Sequence, residues 1–154
     1  MGAVTLPNPT VNAELTENFI GFKLCLLDRH PDFKEAVGAQ AVPWAPTFLY
    51  TDGKGREIRR TVGWMSPEDF VADLRLARAQ HRLSRGKIDE ALELLAAAGN
   101  AEAAYYEGVA VFLKGKRDMV ALGEKWNTLR EKFPASDWAA KAEVIEDWDG
   151  RAHP

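Results

Sequence analysis

Disulfide exchange needs two thiols, one to attack and one to resolve. This chain of 154 residues has one, Cys25. A reactive thiolate wants a helix N-terminus or cationic neighbours and some exposure. Cys25 sits among Leu24, Leu26 and Leu27 and is expected as a small core hydrophobe. A lone cysteine excludes an internal disulfide and the usual zinc patterns. His30, His81 and His153 fall at no metal-ligand spacing, and no carboxylate lies beside two of them. His30, ahead of Pro31 at a helix start, reads as solvated or capping. His81, on the inner face of its helix, reads as a hydrogen-bonded core histidine. No Ser-centred nucleophile motif occurs. Gly53-Lys54-Gly55 precedes a strand rather than a helix, so it is a turn and not a phosphate loop. No catalytic residue, metal ligand or cofactor is assigned. The position that stands out is Pro46, between Trp44-Ala45 and an apolar strand. By residue type alone it is a strand-starting proline, which sheets tolerate.

The elements that must position these residues follow from local pattern. Asn8 or Thr10 can cap a helix with Val11 and Leu15 on its inner face and Phe19 at its end. Ile20 to Leu27 is apolar on both faces, the pattern of a strand covered on both sides. Residues 28–37 read as a short helix ended by Gly38. Pro46 to Asp52 and Arg56 to Val62 make a hairpin around a Gly-containing turn. Ser66-Pro67-Glu68-Asp69 opens the next helix with a cap, a first-position proline and first-turn acids. Phe70, Leu74, Ala77 and His81 follow at helical spacing. Arg75, Arg78, Arg82 and Arg85 stripe that helix; such a stripe can dock an acidic partner, and it reads first as a solvated face or as partners of tail acids such as Glu90 and Glu93.

Beyond about Leu74 no strand signal remains. Leu83–Asp89 loosely echoes Leu113–Asp118, each joining two helical patterns. Met119, Leu122, Trp126, Leu129 and Phe133 form one stripe. Phe133-Pro134-Ala135-Ser136 breaks that helix and starts another carrying Trp138, Ala142 and Ile145. Residues from Asp147 on read as frayed. The whole is 46% apolar and 28% charged with a net charge of -3. That is a globular composition with no general electrostatic drive toward nucleic acid. No run reaches the roughly 20 apolar residues of a membrane span. The N-terminus has no signal-peptide pattern, so a cytoplasmic protein is expected.

The ordered set of helix, strand, helix, Pro46-Thr47 strand, Asp52-Gly53 hairpin, strand, Gly63 and helix resembles the second half of a thioredoxin-like domain. Residues 85–154, helix pairs with short Gly-containing turns, resemble tetratricopeptide repeats at a spacing of about 30 rather than 34. The resemblance implies an α/β fold: a thioredoxin-like domain over 1–84, truncated at its N-terminus, and an all-α helical-hairpin tail over 85–154. It implies a cis bond at Ala45–Pro46 and a groove there, lined by Trp44, Ala45 and Pro46, that holds an extended protein or peptide partner. It also implies kinship with thiol-disulfide oxidoreductases. The family's Cys-x-x-Cys pair and the strand before it would lie upstream of Met1. Either a longer natural protein carries them, or the chain is a redox-inactive remnant that pairs its two strands directly or fills the gap as a homodimer, or the likeness is coincidental. A redox-inactive relative or a non-catalytic binding module, with no nucleic-acid or membrane partner, is the resulting expectation.

Overall fold

The structure, a computed structural model, describes residues 1–25, 31, 33, 34, 42 and 44–145. It is mixed α/β and divides into two units, Met1–His81 and Arg82–Pro154. In the first, Asn8 rather than Thr10 is the cap. Its Oδ1 accepts from the backbone N–H of Thr10 at 2.9 Å and Val11 at 3.3 Å, with Pro9 opening α1 (Pro9–Asn18). Strands β1 (Thr47–Thr51) and β2 (Glu57–Val62) pair antiparallel from Thr47↔Val62 to Thr51↔Glu57. The Asp52 carboxylate fastens the turn. It accepts from the backbone N–H of Lys54 (2.9 Å) and Arg56 (3.0 Å) and from the Arg56 side chain (2.7 Å), bonds that hold its pKa down at about 2.

Helix α2 (Pro67–Ser84) starts as its sequence signals, with Ser66 Oγ accepting the Asp69 N–H at 3.1 Å. Val11, Tyr50, Phe70, Val71, Leu74 and Ala77 form the buried cluster of this unit, with Leu15, Phe19 and Phe48 packed against it. The Phe48 and Phe70 rings lie 4.7 Å apart. Both helices therefore cover the Phe48/Tyr50 face of the hairpin, since alternate strand residues share a face. Burial of each large apolar side chain there stabilises the unit by about 1.5–3 kcal/mol. Glu14 joins the two helices through Arg78 at 2.6 Å and Arg75 at 3.6 Å.

The second unit runs α3 (Ile88–Ala98), α4 (Ala101–Lys114), α5 (Met119–Lys132), α6 (Asp137–Ala142) and a 3-10 turn over Glu143–Ile145. Gly99, left-handed at φ 66°, ends α3, and Asn100 Oδ1 caps α4 through the Ala103 N–H at 2.9 Å. Asp118 and Ser136 cap α5 and α6 in the same way. Neighbouring helices pack α3 on α4, α4 on α5 and α5 on α6, and α4 also meets α6. Leu122, Trp126, Leu129 and Ala142 make one buried cluster, and Ala91, Leu95, Ala103 and Ala110 are fully buried as well. Gly108 lets α4 approach the Trp126 indole: a Cβ there would lie 2.4 Å from its Nε1.

Two expectations change. Ile20 to Cys25 carries no strand, and Ile20 and Phe22 are 92% and 85% exposed. An apolar pattern fixes a strand only where a ladder partner is present, and none of the described residues pairs with this segment. Cys25 is accordingly exposed rather than a core residue. Leu26, Leu27, His30, His153, the residues from Asp147 on and most of the helix expected over 28–37 lie outside the described residues. Among the described residues no helix is long and apolar enough to cross a membrane.

Candidate functional site

Trp44, Ala45 and Pro46 sit at the open end of the hairpin. The Ala45–Pro46 bond is cis, the geometry the resemblance implies. Pro46 cannot donate, but its carbonyl accepts the Gly63 N–H at 2.9 Å, and Thr47 Oγ1 donates to the Trp44 carbonyl at 2.5 Å. These bonds hold the segment while Trp44 and Ala45 stay exposed and Pro46 is half-buried. Trp44 is 72% exposed, and Trp64, just past Gly63, is 62% exposed. The N-terminal turn braces the same end. Thr5, fully buried, donates from Oγ1 to the Met65 carbonyl at 2.8 Å, and the Met1 sulfur accepts the Met65 N–H at 3.3 Å. Two exposed tryptophans thus stand at the open end of the hairpin, one before β1 and one after β2.

The ladder sets what β1 shows to its other side. Pro46 and Asp52 bond across to Gly63 and Arg56, so Pro46, Phe48, Tyr50 and Asp52 direct their backbone groups toward β2. Thr47, Leu49 and Thr51 direct theirs away. Among the described residues no strand pairs with that outer row.

Beneath the hairpin lies a polar cluster that the sequence analysis missed. Asp73, 4% exposed, points from α2 at the sheet. Its Oδ2 accepts the Tyr50 hydroxyl at 2.6 Å; its Oδ1 accepts Arg59 Nε at 2.7 Å and Thr61 Oγ1 at 2.9 Å, and the Arg59 Nη2 lies 2.7 Å away. Burial first, and the Asp73 charge second, push the Tyr50 hydroxyl pKa far up, so it remains a proton donor. Such a cluster can fix the hairpin on α2; with every partner satisfied it has no group free to attack or to shuttle a proton. A carboxylate on the apolar face of Phe70, Leu74 and Ala77, opposite Arg59 and Thr61 alternating on one strand face, was the signal for it.

The other candidates separate. Arg75 and Arg78 pair with Glu14, a partner not foreseen, whereas Arg82 meets Glu90 at 2.9 Å as expected. His81 is half-buried. Among the described residues no three His, Cys, Asp or Glu side chains converge as metal ligands. In the second unit Tyr105 stacks on Trp126 at 4.8 Å and meets Trp138 at 5.2 Å, while Lys141 Nζ lies 3.8 Å over the Trp138 ring. Tyr105 and Trp138 are half-buried and pack against the Leu122, Trp126 and Leu129 cluster. No protein-family model, curated protein or solved structure matches the chain.

Proposed function

We propose that this chain is a thioredoxin-like polypeptide-binding module that works without thiol chemistry. Two helices on one face of the hairpin, with the Trp44–Pro46 segment at its open end, support the thioredoxin-like reading. The observation that carries the binding role is the exposure of Trp44 and Ala45 at the end of a strand whose outer backbone row meets no strand among the described residues. The helical tail reads as a tetratricopeptide-like scaffold. One cysteine cannot both attack and resolve a disulfide.

Two measurements test this reading. In an insulin reduction assay the protein should match buffer plus reductant. Extended peptides selected from a random phage-displayed library should bind the wild type and lose at least about tenfold in affinity with Trp44→Ala, about 1.4 kcal/mol. Turnover abolished by Cys25→Ser, or selected peptides indifferent to Trp44→Ala, would overturn it.

A further inference from the structure

We infer that two helix turns at one end of the second unit, residues 82–90 and 113–120, form a cationic surface that takes an acidic polypeptide segment; this goes beyond the reading above and does not depend on the hairpin. The two turns lie side by side, since Lys114 Nζ, at the end of α4, meets Asp89 Oδ1, at the start of α3, at 2.5 Å. Together they carry six cations (Arg82, Arg85, Lys87, Lys114, Lys116 and Arg117) against three acids, while the rest of the chain carries 14 against 20. The three acids are already engaged. Asp89 holds Lys114, Glu90 holds Arg82 and Lys87, and Asp118 caps α5. Arg85, Lys116 and Arg117 are exposed, and no side chain among the described residues pairs with them.

The backbone gives an independent reason. Both turns close by the same pair of bonds. In the first, Gly86, at φ 71°, donates to the Leu83 carbonyl and Lys87 to the Arg82 carbonyl. In the second, Lys116, at φ 55°, donates to the Leu113 carbonyl and Arg117 to the Phe112 carbonyl. Lys116 therefore stands where the first turn has glycine, and Arg117 follows it at φ 74°. Left-handed backbone is unfavourable for a residue with a Cβ and open to glycine. Local stability favours glycine at position 116, and no internal ion pair offsets the cost of lysine. Strain kept under two exposed cations points to a role outside the fold.

The surface also selects its occupant. Exposed Leu113 and Val120 bracket the second turn, so apolar contact is offered beside charge. That suits a carboxylate-rich peptide with interspersed apolar residues. Neither stretch holds an aromatic side chain on which a nucleobase could stack. A lipid surface or a duplex spreads its charge widely and would bring it against Asp89, Glu90 and Asp118 too. A short peptide can set its carboxylates on Arg85, Lys116 and Arg117 alone. At a Debye length of about 8 Å it feels little of the acidic remainder.

The test uses the full chain and a labelled peptide, acetyl-Glu-Glu-Leu-Glu-Glu-Leu-Glu-amide, with a counterpart in which glutamine replaces every glutamate. The acidic peptide should bind and shift the amide resonances of Gly86, Gly115, Lys116 and Arg117. The glutamine peptide should bind at least about tenfold more weakly, and so should the acidic peptide to a chain carrying Lys116→Gly with Arg117→Gln. Lys116→Gly alone should raise the melting temperature, so that one substitution strengthens the fold and weakens binding. Equal binding of the two peptides, or indifference to the double substitution, would overturn the inference. A lower melting temperature with Lys116→Gly would show that lysine serves the fold, and would overturn it as well. Tighter binding through the same residues to phosphatidylserine vesicles or duplex DNA would assign the surface to that partner instead. Glu146, Asp147 and Asp149 lie further along the chain. Peptide binding that begins only when they are replaced by glutamine and asparagine would assign the surface to the chain's own acids and overturn a separate partner.

Discussion

Removing the Asp73 carboxylate strands three donors at once. Tyr50, Arg59 and Thr61 all converge on it, and the carboxylate itself is 4% exposed. Breaking a buried charge pair by deleting one partner costs about 3–5 kcal/mol, so Asp73→Ala should lower stability by that order in urea denaturation. Thr61→Val, which removes one neutral donor, should cost about 1 kcal/mol. The same cluster gives an alkaline signature. Tyr50 has its folded pKa raised by burial and by Asp73, so the unfolded chain gives up that proton first. Its contribution is fully present below the unfolded value, about 10, and falls as pH rises beyond it. The wild type should therefore lose stability above that pH more steeply than Tyr50→Phe. Parallel slopes would show that the hydroxyl is not buried in solution. The sequence shows a carboxylate at position 73 on an otherwise apolar helical face. It does not show which strand face lies opposite, because that depends on the hairpin register, and so the cluster stayed hidden.

At the level of elements, the caps at Asn8 and Ser66 were legible because their chemistry is local, each accepting from an N–H within three residues. Asn100, Asp118 and Ser136 cap their helices by the same local chemistry, though the sequence reading did not single them out as caps. The Ile20–Cys25 segment was misread for the opposite reason, since a strand is made by its neighbour and periodicity cannot report one. Close packing between helices was also out of reach. Gly108 looks unremarkable in sequence, yet a methyl group there would lie 2.5 Å from Trp126 Cδ1 as well as 2.4 Å from Nε1. Trp126 is itself buried and donates to the Tyr105 carbonyl at 3.1 Å, so it has little room to retreat. Gly108→Ala should destabilise the second unit by about 1–3 kcal/mol despite the better helix propensity of alanine. A neutral or stabilising result in thermal unfolding would mean the α4–α5 contact is looser than this.

At the level of the whole molecule each unit has its own buried cluster, one around Leu74 and Tyr50, the other around Trp126 and Leu129. Residues 82–145 expressed alone should therefore give a helical circular dichroism spectrum and a cooperative melt. A featureless spectrum would show that the second core does not suffice. The sequence places a division at 84/85, and the structure divides at His81/Arg82. The loss of strand signal marks where sheet-forming sequence ends, whereas the boundary at His81 falls inside α2, a continuous helix that no local breaker interrupts.

The chain has five tryptophans; with Trp138 and Trp148 replaced by phenylalanine, the remaining three give the molecule two optical compartments. Trp44 and Trp64 face water in the first unit, while Trp126 is 6% exposed in the second. A neutral collisional quencher will reach the first pair long before it reaches Trp126, so the unquenched remainder of the emission follows the helical tail. The fraction lost follows the hairpin mouth. Any guest lying against Trp44 would shield it, turning the accessible fraction of the fluorescence into a direct gauge of occupancy without a label on either partner.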